Sequence, residues 1–157
     1  MTQETPILNE HNKQEYPPAH SAEHILNQAM VRMFGCSRSR VNHIERKKSK
    51  CNYDLTTCPT EEQICAIEAE VNRIIAADMP ITSRYVTRDE VPENIDLSKL
   101  PADASETLRL VYVGDYDVCP CLGDHVAHTG EIGSFRISST SYNDGNFRIV
   151  FRVSAVV

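Results

Sequence analysis

The chain has 157 residues, with 16 Lys and Arg against 22 Asp and Glu, giving a net charge of −6 with histidine neutral. At 41% hydrophobic and 24% charged it has the composition of a globular domain, and its length suits one domain rather than two. No apolar run reaches the about 20 residues that cross a bilayer, and the acidic balance argues against coating nucleic acid by charge alone.

The start of the chain, Met1 to Pro18, is polar and acidic and does not read as a secretory signal. A cytoplasmic, non-membrane protein is therefore expected. In that reducing compartment the six Cys are not a disulfide framework. Cys36, Cys58 and Cys65 read as small buried or half-buried apolar residues.

Residues 1–18 lack periodicity and form a loose arm ending in Pro17-Pro18. Residues 19–157 form the expected domain. Ala22, Leu26, Ala29, Met30 and Met33 share one helical face, and Gly35 stops the pattern, so the spacing predicts a helix over 19–34. Residues 37–57 predict a hairpin with a charged centre. Thr60-Glu61-Glu62-Gln63 is a capping box. It opens a second helix whose apolar face is Ile64, Ile67, Val71, Ile74 and Ile75, ending near Ala77.

Ile81–Arg88 and Leu108–Val113 read as strands, separated by a turn-rich acidic connection. Asp115–Gly130 reads as a loop. Two further strands, 132–141 and 147–156, flank Asn143-Asp144-Gly145-Asn146, a hairpin turn signal. Two principal helices embedded among such strands predict an α+β domain with a mainly antiparallel sheet.

Two segments carry chemistry. On the first helix, His20-Ser21-Ala22-Glu23-His24 places two imidazoles one turn apart, where they can aim at one point. Downstream, Cys121-Leu122-Gly123-Asp124-His125 can turn a thiolate and an imidazole back onto one ion. Together His20, His24, Cys121 and His125 form a complete tetrahedral N₃S set for Zn²⁺. Cys119 is an alternative thiolate, but Cys121 has the better spacing to His125.

His-x-x-x-His, followed far downstream by Cys-x-x-x-His and Val126-x-x-Thr129-Gly130-Glu131-Ile132-Gly133, resembles the editing domain of alanyl-tRNA synthetases. That domain is shared with threonyl-tRNA synthetase and the free-standing AlaX proteins. Thr60-Glu-Glu-Gln, Ile67-Glu-Ala-Glu-Val71-Asn72, Pro80-Ile81 and Leu110-Val-Tyr-Val-Gly114-Asp115 extend the similarity over residues 19–157. The resemblance implies a zinc-dependent deacylase that hydrolyses mischarged aminoacyl-tRNA in trans, typically Ser-tRNA(Ala). It implies Asn27, Thr129 and Gly130 at the substrate pocket. The short length is similar to the smallest free-standing members.

Three positions depart from the family pattern. Glu23 stands where Thr is frequent, Asn27 replaces Gln, and Leu122-Gly123-Asp124 replaces Gly-Gly-Thr. Glu23 and Asp124 are candidate general bases beside the metal. The plainer alternatives are that Glu23 points to solvent and that Asp124 orients a histidine ligand.

Arg38, Arg40, Arg46, Lys47, Lys48 and Lys50 cluster in the first hairpin of an otherwise acidic chain, a phosphate-binding candidate for tRNA. Two other readings stay open. One is a non-catalytic, zinc-stabilised module that binds RNA or protein. The other is a metalloprotease of the H-x-x-E-H pattern, which leaves Cys121 and His125 without a role.

Overall fold

A computed structural model describes residues 16–39, 41–91 and 107–154. Helix α1 spans Pro17–Phe34. Pro17 and Pro18, which punctuate the sequence, form its first turn rather than preceding it, because proline at the helix start loses no hydrogen bond. The expected arm over 1–18 therefore overlaps the helix, and its first 15 residues lie outside the described residues. At the other end, Gly35 adopts φ 68°, and its N–H closes on the Val31 carbonyl at 2.9 Å.

The first hairpin is present as β1 (Val41–His43) and β2 (Ser49–Asp54). Helix α2 (Glu61–Ala76) starts at the capping box: the Thr60 hydroxyl accepts from Gln63 N–H, and Gln63 Oε1 accepts from Thr60 N–H. Strands β3 (Ile81–Thr87), β4 (Thr107–Val113) and β5 (Asp117–Pro120) follow. A short 3₁₀ turn at Thr129–Ile132 precedes β6 (Ser134–Asn143) and β7 (Asn146–Ser154). Asp144 and Gly145, at φ 53° and 85°, make the tight turn between those last two strands.

The fold is α+β, with antiparallel pairing throughout the described residues, but the described strands divide into two sheets. One has the order β1-β2-β7-β6 and the other β3-β4-β5. Strand β5 lies inside the expected Asp115–Gly130 loop. Its four residues hold an aspartate and a terminal proline, a composition poor in strand formers, and pairing with β4 (Val111↔Cys119, Tyr112↔Val118) makes it a strand.

The core lies between the helices and the larger sheet. Ile25, Leu26, Ala29 and Met30 of α1 and Ile67, Val71 and Ile74 of α2 meet Cys51, Tyr53, Phe135, Phe147, Ile149 and Phe151. The buried small thiol is Cys51. Cys36 is half-buried, whereas Cys58 and Cys65 are exposed, contrary to the sequence expectation. Cys65 sits on the water side of α2, which the apolar periodicity already marks. None of the described helices is long and apolar enough to cross a membrane.

Candidate metal centre

Helix α1 buries polar residues as well as apolar ones. His20, Ser21, Glu23, His24 and Asn27 are all buried, on a helix whose opposite side already fills the core. Buried polar groups cost free energy unless something pairs with them. The loop after β5 pairs with His20 and Ser21, and Ser39, Asn42 and Tyr53 from the first hairpin and the residues leading into it pair with Glu23 and Asn27.

His20, His24, Cys121 and His125 present one donor atom each, all within 4.8 Å of one another. His20 Nε2 lies 3.1 Å from the Cys121 sulfur. The His20 and His125 rings stack at 4.1 Å, and His24 meets both edge-on at 5.1 and 4.5 Å. Tetrahedral zinc ligands sit about 3.5 Å apart, so a small contraction of this cluster closes a site.

The far nitrogens are anchored reciprocally. His20 Nδ1 lies 3.0 Å from the Asp124 carbonyl, which only accepts, so the ring proton sits on Nδ1 and Nε2 keeps its lone pair. In return, His125 Nδ1 meets the Ser21 hydroxyl at 3.0 Å, and that hydroxyl also accepts from Val126 N–H. The helix thus holds the loop histidine, and the loop holds the helix histidine. Arg109 pins the rest of the loop. Its guanidinium donates to the carbonyls of Leu122 (3.1 Å) and Gly123 (2.6 Å), and its own carbonyl accepts from Cys121 N–H.

The electrostatics suit a metal. Burial holds His24 well below its ordinary pKa, helped by His125 and His20. Burial likewise lowers His125, to about 3. Both rings are neutral at pH 7, the form that ligates. Burial pushes the Cys121 thiol up to about 12, so an incoming cation must displace its proton. His125 Nε2 is buried with no hydrogen-bond partner. An orphaned lone pair or N–H of this kind is expensive, and a metal at the centre of the four donors satisfies it. The residues therefore fit a metal ion.

Glu23 points inward, beside the donors rather than toward solvent. Its Oε2 accepts from Asn27 (2.5 Å) and Asn42 (3.1 Å), and its Oε1 lies 4.0 and 3.9 Å from His20 Nε2 and His24 Nε2. Asn27 Oδ1 in turn accepts from the Tyr53 hydroxyl at 2.7 Å and from Ser39 N–H at 3.2 Å. Asn27 is thus occupied in holding Glu23. Asp124 is exposed, and its backbone carbonyl rather than its carboxylate orients His20.

Thr129 is fully buried. Its hydroxyl donates to the Ile74 carbonyl and accepts from Met79 N–H, both at 2.8 Å, which closes the end of α2. Gly130 N–H donates to Asp78 Oδ1, and a Cβ there would fall 2.4 Å from that oxygen. Both residues tie the loop to α2. A groove of about 390 Å³, bounded by Thr82, Ser83, Arg109, Asp124 and His125, runs beside the cluster.

The basic residues separate. Arg46, Lys47 and Lys48 are exposed between β1 and β2, with Arg46 over the Tyr16 ring at 4.6 Å, and Lys50 is half-buried on β2. Arg40 lies outside the described residues. Arg38 turns inward onto Asp117, at 2.7 and 3.3 Å. Burial opposes its charge, but Asp117 outweighs burial and raises its pKa. Ser21, Arg109 and Asp117 escape a sequence reading. Ser21 alone carries a signal, as a polar residue between two candidate ligands on a helix with an apolar face.

The sequence profile described as "Threonyl and Alanyl tRNA synthetase second additional domain" matches residues 108–150. An alanine–tRNA ligase of Halorubrum lacusprofundi is 30% identical over 142 residues, 84% of this chain and 15% of that protein. One from Idiomarina loihiensis is 31% identical over 121 residues, 76% of this chain and 14% of the ligase. One from Gluconobacter oxydans is 31% identical over 136 residues, covering 78% and 15%. The chain thus spans about 15% of the length of these relatives. The profile takes in β4, β5 and the Cys121–His125 loop, and the ligase matches extend that similarity over most of the chain. The chain is a domain of the threonyl and alanyl tRNA synthetase second additional type.

Proposed function

We propose that residues 19–157 form a zinc-dependent deacylase that hydrolyses mischarged aminoacyl-tRNA in trans, with Ser-tRNA(Ala) as its substrate, in the cytoplasm. The observation that carries this reading is the gathering of His20, His24, Cys121 and His125 within 4.8 Å, on a chain similar to alanine–tRNA ligases. In hydrolysis a water oxygen bonds to the ester carbonyl carbon, the bond from that carbon to the ribose oxygen breaks, the ribose oxygen takes up the proton that the water gives up, and amino acid and tRNA separate. Bound zinc would supply a Lewis acid that polarises the carbonyl.

The protein's own groups do the rest. His20, His24, Cys121 and His125 hold the ion. Glu23, fixed by Asn27 and Asn42, presents a carboxylate oxygen beside His20 and His24, where it can take a proton from the attacking water. Asp124 acts through its carbonyl. Asn27, Thr129 and Gly130 shape the pocket by fixing Glu23 and the loop. The groove past His125 leads to the cluster, and Arg46, Lys47 and Lys48 offer an exposed basic surface for tRNA phosphates.

The closed set of four donors favours a second reading. A catalytic zinc keeps an open position, whereas four protein ligands are the pattern of a structural site. That pattern supports a zinc-stabilised RNA- or protein-binding module. A deacylation assay separates the two. Turnover of Ser-tRNA(Ala) that disappears in Cys121→Ala and in His24→Ala supports the enzyme, and reversing Lys47 and Lys48 to Glu should then weaken tRNA binding most at low salt. No turnover on Ser-, Gly- or Thr-charged tRNA, with zinc and RNA binding kept, supports the module. Peptide cleavage that depends on Glu23 would restore the protease reading.

A further inference from the structure

The third imidazole of the cluster lacks the close anchor that the other two have. His20 Nδ1 reaches the Asp124 carbonyl and His125 Nδ1 reaches Ser21, each at 3.0 Å. His24 Nδ1 is buried, makes no hydrogen bond, and lies 3.7 Å from Asp117 Oδ2. Asp117 has a fully buried side chain. Arg38 donates to both of its oxygens, and Gln28 donates to Oδ1 at 2.9 Å. A carboxylate this deep is costly unless it is paired, and Arg38 pairs it. Oδ1 takes two donors, whereas Oδ2 takes one, at 3.3 Å, and faces His24 with acceptor capacity to spare.

We infer that Asp117, with Arg38 balancing its charge, is the positioning residue for His24: it accepts the Nδ1 proton and so turns Nε2 into the cluster. The inference rests on reading the four donors as a metal site. The gap exceeds a hydrogen bond of about 3 Å, and a small rotation of the ring closes it. Nδ1 points at Asp117 while Nε2 lies on the side of Glu23 and the other donors, so one rotation serves both ends of the ring. With Arg38 opposite, Asp117 acts on His24 as an acceptor rather than as a net negative charge. Partners of this kind fix the orientation and tautomer of metal-bound histidines. The arrangement also explains why Arg38 turns away from the exposed basic residues. Asp117 reaches the site only because β5 pairs with β4 and brings residue 117 against α1.

The test is zinc affinity, read by competition with a chromophoric chelator, in wild type and in Asp117→Leu combined with Arg38→Met. The double variant removes acceptor and counter-charge together and strands no buried charge. Retention of zinc should weaken about 10–100-fold, and the visible bands of the cobalt-loaded protein should shift, while circular dichroism stays that of wild type. If the double variant does not fold, Asp117→Asn replaces it. Its oxygen cannot serve Arg38 and His24 equally, so affinity should drop by about tenfold. Wild-type affinity and an unchanged cobalt spectrum in the folded variant would overturn the inference and leave the Asp117–Arg38 pair as a structural tie. A wild-type protein that binds no zinc would instead overturn the metal reading, and the inference with it.

Discussion

Helix α2 buries one stripe, Ile67, Val71, Ile74 and Ile75, and leaves most of its remaining surface to water. Helix α1 is buried without a break from Ala19 to Asn27, histidines and glutamate included. The two have similar lengths, so length is not the cause. The difference is what covers the second side. The far face of α2 meets solvent. That of α1 meets the β1–β2 hairpin and the Cys121–His125 loop, through Asn42, Ser39, Tyr53 and Asp124. A helix buried all round with polar residues on one side must find a partner for each of them. The four donors that could hold a metal ion and Glu23 all belong to that covered face or to the loop that covers it.

Substitutions can break this contrast, and the largest effect is expected in the shared core. Leu26→Ala on α1 should cost about 2–5 kcal/mol in denaturant unfolding, because the residue is fully buried among Ile, Phe and Met side chains. Cys65→Ala on the exposed side of α2 should stay within about 0.5 kcal/mol. Equal costs would show that position 26 is no better packed than position 65.

The polar face comes next. Glu23→Ala strands the buried Asn27 amide donor and should destabilise the metal-free protein by about 1–3 kcal/mol. Glu62→Ala, on the exposed first turn of α2, should be near neutral. Thr60→Ala tests the same helix at its cap, where losing the bond to Gln63 N–H should cost about 1 kcal/mol by thermal melting.

The smallest effect is electrostatic. Hydrogen bonding from Arg73 holds the Glu70 carboxyl below its ordinary pKa, with burial opposing and Tyr116 assisting. A carboxyl lowered in the folded state stabilises at pH above its unfolded value and loses that contribution as pH falls through the folded value. Melting temperatures of wild type and Glu70→Gln should therefore differ slightly at pH 7, less at high salt, and converge as pH falls below the folded value. A difference that grows toward acid would contradict the pairing.

Sequence reasoning reads α2 almost completely. The capping box, the apolar stripe and the end near Ala77 are local features, carried by neighbours within a few residues. The Asn143–Asn146 turn is read for the same reason: positive φ at Asp144 and Gly145 is encoded in those residues themselves. For α1, sequence reasoning finds the apolar half and the two histidines but not the cover. His20 meets Asp124, Ser21 meets His125, and Gln28 meets Asp117, pairs separated by 104, 104 and 89 positions. Asn27, Thr129 and Gly130 read as pocket residues, and their partners Tyr53, Met79 and Asp78 lie at positions that the local pattern does not announce.

The sequence alone determined the helices, the capping, the final hairpin and the identity of four donors whose spacing suits one ion. Periodicity and turn chemistry act over short range, and donor type is a property of the residue. Tertiary structure decided that the strands form two sheets, that β5 exists, and that Arg38 faces Asp117 instead of solvent. It also decided that Asp124 serves through its carbonyl and that Glu23 lies against the cluster. Those outcomes depend on which distant surface closes over α1, because a buried polar group takes whatever partner the fold brings within hydrogen-bond reach.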